Sequence, residues 1–233
     1  MARKKIVFVI VEGPSDDEAL GVLLTKIFDK SKVFVYIVHG DITTNSGVNH
    51  TNICAKIGSI VNEYAKSNHL TKQHFQEIVH IVDTDGAYIP SNSIILDETA
   101  EKTFYTLTGI HTVNTENIKK RNDVKRKCLD KISSVKSIAN VPYQVYYMSC
   151  NLDHVLFDNP NSTDEEKEDN SLAFALKYKD NIKGFIDFMI HSPFSVTDEY
   201  LASWRFIKAG LNSLERHTNL GICLKNAAKS NDP

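Results

Sequence analysis

Acidic residues directly follow two apolar segments of the chain. The run IVFVIV leads into Glu12, and the run IVHIV leads into Asp83, with Asp85 two residues later. Carboxylates that converge without a countercharge repel one another, so a hard cation such as Mg²⁺ or Mn²⁺ is their natural neutraliser. A bound divalent ion can orient a phosphate group and lower the pKa of a water molecule. If Glu12 meets the two aspartates, the sequence predicts metal-assisted chemistry on phosphate esters.

Short apolar runs rich in valine and isoleucine predict the strands that would bring these acids together. Uninterrupted runs of this kind are typical of strands covered on both faces in a parallel sheet. Helical patterns lie between them, which predicts right-handed strand–helix–strand units and an α/β fold. Ligands of such sheets bind in the crevice at the carboxyl ends of the strands. The predicted strands are residues 6–11, 33–38, 78–82 and 145–148.

The chain is predicted to have two parts. A parallel sheet flanked by helices occupies residues 1–157 and forms the catalytic domain, with an insertion at about 88–137. Residues 158–233 are predicted to form a helical C-terminal subdomain packed on the sheet, because their apolar residues recur at helical spacing.

Local signals predict several elements within these parts. A helix near 97–107 or an irregular segment is expected in the insertion, followed by a helix over 116–137. The polar, acidic segment 164–169 is expected to be a mobile, solvated loop. Two pairs of residues have the spacing of a capping box at a helix start: Ser15 with Glu18, and Thr163 with Glu166.

The two acidic motifs together resemble those of the Toprim fold family. That family has a glutamate after its first strand and an Asp-x-Asp after its third, as in VIVEGPSDDEAL and HIVDTDGAY here. The resemblance covers about residues 4–155 and implies a Toprim-like parallel sheet. It implies that Glu12 is a general acid/base or metal ligand, and that Asp83 and Asp85 bind Mg²⁺ or Mn²⁺. In the nuclease branch it also implies further acids of the catalytic and metal site: Asp16 and Asp153.

This resemblance implies a divalent-metal-dependent nuclease that hydrolyses phosphodiester bonds of DNA or RNA. Topoisomerases need a further domain for strand passage and primases need template-binding parts, and 233 residues leave little room for either. Small Toprim nucleases of phage defence, including the overcoming-lysogenization-defect type, often act with an ATPase. Because the chain has no G-x-x-x-x-G-K-[ST] motif, the resemblance implies a separate ATPase partner and a role as an antiviral effector.

One segment concentrates positive charge. The stretch KKRNDVKRKCLDKISSVK is rich in lysine and arginine, and phosphate contacts dominate the affinity of proteins for nucleic acids. It predicts a surface that binds DNA or RNA without reading sequence, although a solvated helix face has the same composition. The candidate contacts are Lys119, Lys120, Arg121, Lys125, Arg126 and Lys127.

Composition limits the other classes. The formal net charge of −2 gives no general attraction to nucleic acid, so binding must depend on a local patch. The four cysteines are scattered without a C-x-x-C pair, which predicts reduced thiols and a cytoplasmic location. No apolar run approaches the length of a membrane span, so no membrane partner is expected. Nothing in the sequence decides whether the protein is a homo-oligomer.

Two alternatives remain open from the sequence. The motif HIVDTDG also resembles the first motif of haloacid dehalogenase phosphatases, in which Asp83 would be the nucleophile and Asp85 the acid. Ser149 would then take the place of the second motif, but the later paired acid of that family has no counterpart. The other alternative is a non-catalytic Toprim module that only binds a partner.

Overall fold

A computed structural model describes residues 5–28, 33–39, 42–197 and 199–229. Its strands are β1 (Lys5–Val11), β2 (Val33–His39), β3 (Phe75–Asp83), β4 (Ile94–Leu96), β5 (Phe104–Thr106), β6 (Gly109–Thr112), β7 (Ser137–Ile138) and β8 (Val141–Met148). Its α-helices are α1 (Pro14–Ile27), α2 (Ile53–Ser67), α3 (Thr115–Ser134), α4 (Leu152–Phe157), α5 (Asp164–Tyr178), α6 (Ile182–His191), α7 (Tyr200–Ile207) and α8 (Leu220–Lys229). Two single 3₁₀ turns lie at Lys72–His74 and Ser91–Ser93.

The main sheet has the strand order β2-β1-β3-β8-β7. Strands β2, β1, β3 and β8 are parallel, and the short β7 pairs antiparallel with β8. All four predicted strands are confirmed, and they belong to this one sheet. Because β1 and β3 are neighbours, Glu12 and Asp83 leave adjacent strands at the same edge of the sheet.

Helices cover both faces of the sheet, which confirms the α/β class. Val7, Val9 and Val11 of β1 pack on one face with α1, α4, α5, α6 and α8. Phe8 and Ile10 point to the other face, where they pack with α2, α3 and α7. Alternate residues of β1 therefore enter two different cores, which explains why the strand is apolar from Ile6 to Val11.

The insertion contains a small second sheet that the sequence did not predict. Strands β4, β6 and β5 form it in that order, with β4 parallel and β5 antiparallel to β6. Of the two alternatives left open for residues 97–107, the structure shows the irregular one, because this segment holds turns and the short strand β5 instead of a helix. The predicted helix 116–137 is confirmed as α3, which ends three residues earlier.

Two local predictions on the acidic segments are also wrong. Helix α1 starts at Pro14, and the backbone N–H of Gly13 donates to Asp16 Oδ2 at 2.9 Å, so Ser15 and Glu18 do not form the capping box. Residues 164–169 are the first turns of α5 instead of a loop. The second capping box is confirmed, since Thr163 Oγ1 accepts from Glu166 N and Glu166 accepts from Thr163 N.

The C-terminal helices share the core of the sheet. Phe174 of α5, Phe185 of α6 and Leu224 of α8 are buried with the residues of β1 and α1. The helical character of the segment after residue 157 is therefore as expected, and its helices pack on both faces of the sheet, with α5, α6 and α8 on one face and α7 on the other. No helix in the described residues is long and apolar enough to cross a membrane.

Candidate active site

Two carboxylates meet at the carboxyl edge of the central strands. Glu12 follows β1, and Asp83 is the last residue of β3. The backbone N–H of Asp83 donates to Glu12 Oε1 at 3.1 Å, so the glutamate side chain reaches across to the neighbouring strand. The convergence predicted from the two motifs is therefore present between Glu12 and the start of the Asp-x-Asp motif.

Thr84 fixes the path of the chain between the two aspartates. It is fully buried; its Oγ1 donates to the carbonyl of Ser213 at 2.7 Å and accepts from the N–H of Cys150 at 2.9 Å. The next N–H, that of Asp85, donates to the carbonyl of Cys150 at 2.8 Å. Asp85 itself has a φ of 48°, a left-handed conformation that aspartate tolerates better than most residues. These contacts fix the backbone at Thr84 and Asp85.

A lysine from α3 completes the group of charges. The side chain of Lys125 is fully buried, its Nζ lies 3.5 Å from Glu12 Oε1, and it donates a short hydrogen bond to Asp85 Oδ2. Burial alone would lower the pKa of Lys125, but the charges of Asp85, Glu12 and Asp83 raise it above its usual value. Lys125 is therefore a permanent cation between the two acidic motifs.

The acids at this edge differ in their ionisation. Burial raises the pKa of Asp83 well above its usual value, and the charges of Glu12, Asp16 and Asp85 raise it further. Burial would also raise the pKa of Asp85, but Lys125 and Arg121 hold it below its usual range. Lys125 thus compensates Asp85, while Asp83 is left with excess negative charge around it.

Asp16 and Asp153 are coupled electrostatically to these acids, Asp16 to Asp83 and Asp153 to Asp16. Burial raises the pKa of Asp16 to about 6, and the charge of Asp153 contributes to this shift. Burial also raises the pKa of Asp153, which is in the first turn of α4 behind the N-cap Asn151. The five acids proposed from the resemblance therefore form one connected electrostatic group, in which Asp153 is coupled to Asp16.

The donors of this group fit a hard divalent cation. They are carboxylate oxygens, which Mg²⁺ and Mn²⁺ prefer, and the charges of three neighbouring acids add to the burial that raises the pKa of Asp83. In the part of the chain that the structure describes, however, no three ligand side chains already converge on a single point. The residues that would hold the ion are Glu12, Asp83 and Asp85, with Asp16 and Asp153 beside them.

The basic residues of α3 do not form one exposed patch. Lys125 belongs to the acidic site, which corrects its expected place on the nucleic-acid surface. Arg121 also turns inward, and donates to the carbonyl of Asp85 at 2.8 Å and to Tyr105 Oη at 3.1 Å. The prediction of an outward-facing basic surface is therefore wrong for these two positions.

The remaining basic residues of the set are exposed or partly exposed to solvent, and most of them form ion pairs. Lys119 Nζ lies 2.6 Å from Glu116, and Arg126 and Lys127 both pair with Asp123. Lys120 is exposed and has no ion pair among the described residues. The free positive charge of this helix face is therefore smaller than its composition indicates.

Lys167 was missed by the sequence prediction because its segment was taken for an acidic loop. It is a half-buried residue of α5, and its charge lowers the pKa of Asp16, Asp85 and Asp153. Lys125 could be found only as part of a basic run. No local signal indicated that one lysine of that run enters the site.

Removing the charge of Asp16 should stabilise the protein when no metal is present. The pKa of Asp16 is raised from 3.8 to about 6, so between these pH values the folded state binds more protons than the unfolded state. The protein therefore loses stability as pH rises from 3.8 through about 6. In chelator at pH 7.5, Asp16→Asn should raise the free energy of unfolding by roughly 1–2 kcal/mol. At pH 3.5 the difference should vanish. Urea denaturation at both pH values measures it.

The matched control for this variant is Asp187→Asn on the surface of α6. The side chain of Asp187 is 53% exposed and pairs with His191, so this change should have little effect at either pH. Equal stability of Asp16→Asn and the wild type at pH 7.5 would show that burial and the charge of Asp153 do not disfavour the ionised carboxylate of Asp16 as the structure indicates.

Two comparisons with known proteins found no match. No protein-family model matches the chain, and no curated protein is significantly similar to it. The class defined by the fold and the site is therefore an α/β protein with a carboxylate group and a buried lysine at the carboxyl edge of its parallel sheet.

Proposed function

We propose that the protein is a divalent-metal-dependent nuclease that hydrolyses phosphodiester bonds of DNA or RNA. The observation that carries the proposal is that buried Lys125 pairs with Glu12 and Asp85, while the Glu12 carboxylate reaches the backbone N–H of Asp83, at the carboxyl edge of β1 and β3. Hydrolysis of a phosphodiester needs metal ligands, a cation near the phosphate and a group that accepts a proton, and this set contains all three.

The residues take separate roles in this proposal. Asp83 and Asp85 would hold Mg²⁺ or Mn²⁺, together with Asp16 and Asp153, and Glu12 would act as ligand or general base. The bound ion would supply Lewis-acid stabilisation and a more acidic water. Lys125 holds its positive charge at the point where Glu12 and Asp85 meet, and would stabilise the negative charge that develops on the phosphate oxygens.

The resemblance of the two motifs to the Toprim family supports the same function. A parallel sheet in which the glutamate strand and the Asp-x-Asp strand are neighbours is compatible with a Toprim-like domain. With the nuclease branch of that family as a guide, we extend the proposal to a cytoplasmic phage-defence effector that works with a separate ATPase. Co-purification of an ATPase with the tagged protein from its native host would support this part.

The phosphatase alternative has less support from the site. It needs an ionised nucleophile at Asp83 and a protonated acid at Asp85, whereas the pKa of Asp83 is raised and that of Asp85 is lowered. Ser149 would have to contact phosphate, but it is buried and its Oγ donates to the carbonyls of Asn212 and Glu215. We therefore propose the nuclease alone.

An assay with three polymers tests the proposal directly. Plasmid, single-stranded DNA and transfer RNA are each incubated with the protein in Mg²⁺, Mn²⁺ or chelator. A nuclease cleaves at least one polymer with metal and none in chelator. A phosphatase releases phosphate from a small ester and leaves the polymers intact, and a binding module does neither, so both of these outcomes would overturn the proposal.

Nucleic-acid binding should depend on Lys120 more than on the paired residues of α3. Lys120 and Arg121 line a cavity of about 320 Å³ whose opposite wall is the loop 43–48. This loop follows β2, whose last residue pairs with Val11, so the cavity is at the same sheet edge as Glu12. A phosphate bound at Lys120 would therefore be close to the acidic site.

Lys120→Ala should weaken binding of nucleic acid to an inactive Asp83→Asn protein about 3- to 10-fold and reduce the salt slope by about 1. Fluorescence anisotropy at several salt concentrations in Mg²⁺ measures both quantities. Lys183→Ala, at an exposed position on α6, is the control and should change neither. An unaltered slope for Lys120→Ala would place the backbone of the nucleic acid elsewhere.

A further inference from the structure

Helices α1 and α5 form a groove on the face of the protein away from α3. Its volume is about 640 Å³, and it is lined by residues of both helices and by Ile37 of the edge strand β2. Three apolar side chains line the groove and are about half exposed: Val22 at 50%, Leu172 at 48% and Leu176 at 51%. Aliphatic side chains grouped in one groove are typical of an interaction surface.

The two helices run in the same direction. Ser171 Oγ, in the middle of α5, donates to Glu18 Oε2 near the start of α1 at 2.6 Å, and Lys26 Nζ donates to the carbonyl of Lys179 near the ends of both helices. Both contacts join residues that are 153 positions apart in sequence. The helices are therefore parallel and in register over more than two turns.

Charge is distributed unequally along this helix pair. The beginning of the pair is acidic and the end is basic, apart from Asp180, which lies 3.5 Å from Lys26, and Lys167, which faces the acidic site. Acidic residues at the helix starts and basic residues at the helix ends stabilise both helices through their dipoles. The same charges give the groove one negative and one positive end. The acidic residues are Asp16, Asp17, Glu18, Asp164, Glu165, Glu166, Glu168 and Asp169, and the basic residues are Lys26, Lys177 and Lys179.

We propose that this groove binds a second copy of the same chain in an antiparallel, twofold-symmetric dimer. A twofold axis perpendicular to the helices reverses their direction, so the acidic end of one copy meets the basic end of the other. The same operation places the apolar group of Val22, Leu172 and Leu176 against the same group of the other copy and removes it from water. A surface with one acidic and one basic end around an apolar centre is complementary to itself only in this orientation.

The mass in solution tests the dimer independently of any nuclease activity. Sedimentation equilibrium of the full chain should give twice the monomer mass of 26.2 kDa at micromolar concentration. Leu176→Glu should raise the dissociation constant of the dimer at least 10-fold. Leu107→Glu is the control, because Leu107 is 69% exposed in the turn between β5 and β6 and outside the groove. A wild-type monomer at 100 µM, or an unaffected dimer in Leu176→Glu, would overturn the proposal.

A charge exchange tests the antiparallel orientation. Glu18→Lys and Lys179→Glu each place like charges across the proposed axis, so each should weaken the dimer. The double variant restores opposite charges at both ends and should recover most of the wild-type affinity. Circular dichroism confirms that each variant is folded. Weakening in the single variants without recovery in the double variant would overturn the antiparallel arrangement.

Discussion

Asp83→Asn is expected to abolish metal-dependent cleavage while leaving the fold at least as stable as the wild type. Asparagine keeps the shape and the backbone N–H that donates to Glu12, but removes a charged metal ligand. Loss of one ligand that stabilises charge in the transition state should reduce the rate at least about 10³-fold. Because burial and three neighbouring acids raise the pKa of Asp83, losing its charge should also relieve repulsion in the absence of metal.

The combination of the two effects makes this prediction specific. Initial rates with Mg²⁺ and thermal unfolding in chelator are measured on the same preparation, with Asp187→Asn as the control that should change neither. Glu12→Gln should lose activity to a similar degree, and the double variant should lose little more, because residues that act as one unit are not additive. Retention of cleavage by Asp83→Asn would remove this carboxylate from the mechanism.

The positions of the central strands along the chain could be predicted because their apolar runs are short and uninterrupted. Strand β1 is apolar at every position from Ile6 to Val11, since its alternate residues enter two different cores. Placing Glu12 and Asp83 at the ends of such strands was enough to predict that they would meet if the strands were neighbours. The same reasoning could not place Asp16, whose position depends on where α1 begins.

The start of α1 shows why local patterns fail at such sites. Ser15 and Glu18 have the spacing of a capping box, but Pro14 occupies the first turn and Gly13 is the N-cap. Asp16 accepts the N–H of Gly13 instead, and this contact holds its carboxylate near Asp153. The helix therefore starts before the position that the pattern indicates. Asp16, whose side chain accepts from the backbone of the N-cap Gly13, is also one of the site acids.

Lys125 could not be distinguished from its neighbours in sequence. In α3, exposed Lys127 pairs with Asp123 on the same helix. Lys125 instead pairs with Glu12 and Asp85, the acids that follow β1 and β3. The difference is only the side of the helix on which each residue lies, and that side is set by packing of Leu129 and Ile132 against the sheet. A basic run alone predicts a surface, so the buried member of the run requires the tertiary structure.

Lys125→Met should destabilise the protein by about 3–5 kcal/mol in chelator, since it leaves Glu12 and Asp85 without the buried cation between them. The pKa of Asp85 is held below its usual 3.8, so the Lys125–Asp85 ion pair contributes fully to the free energy of unfolding at pH 7. This contribution is lost only as pH falls through the lowered pKa of Asp85. Mg²⁺ should restore part of the stability of the variant, because the ion replaces the missing positive charge.

The matched control is Lys127→Met, two residues along α3 and about half exposed, which should change stability by less than about 0.5 kcal/mol. Urea denaturation at pH 7.5 is measured for both variants with chelator and with Mg²⁺, and cleavage is measured in parallel. Metal should rescue the fold of Lys125→Met more than its activity. A bound ion can neutralise the carboxylates, but it cannot donate the hydrogen bond that the Lys125 ammonium group would make to the phosphate. A variant as stable as the wild type in chelator would mean that Lys125 does not balance the acids, and the assignment of its charge to the site would fail.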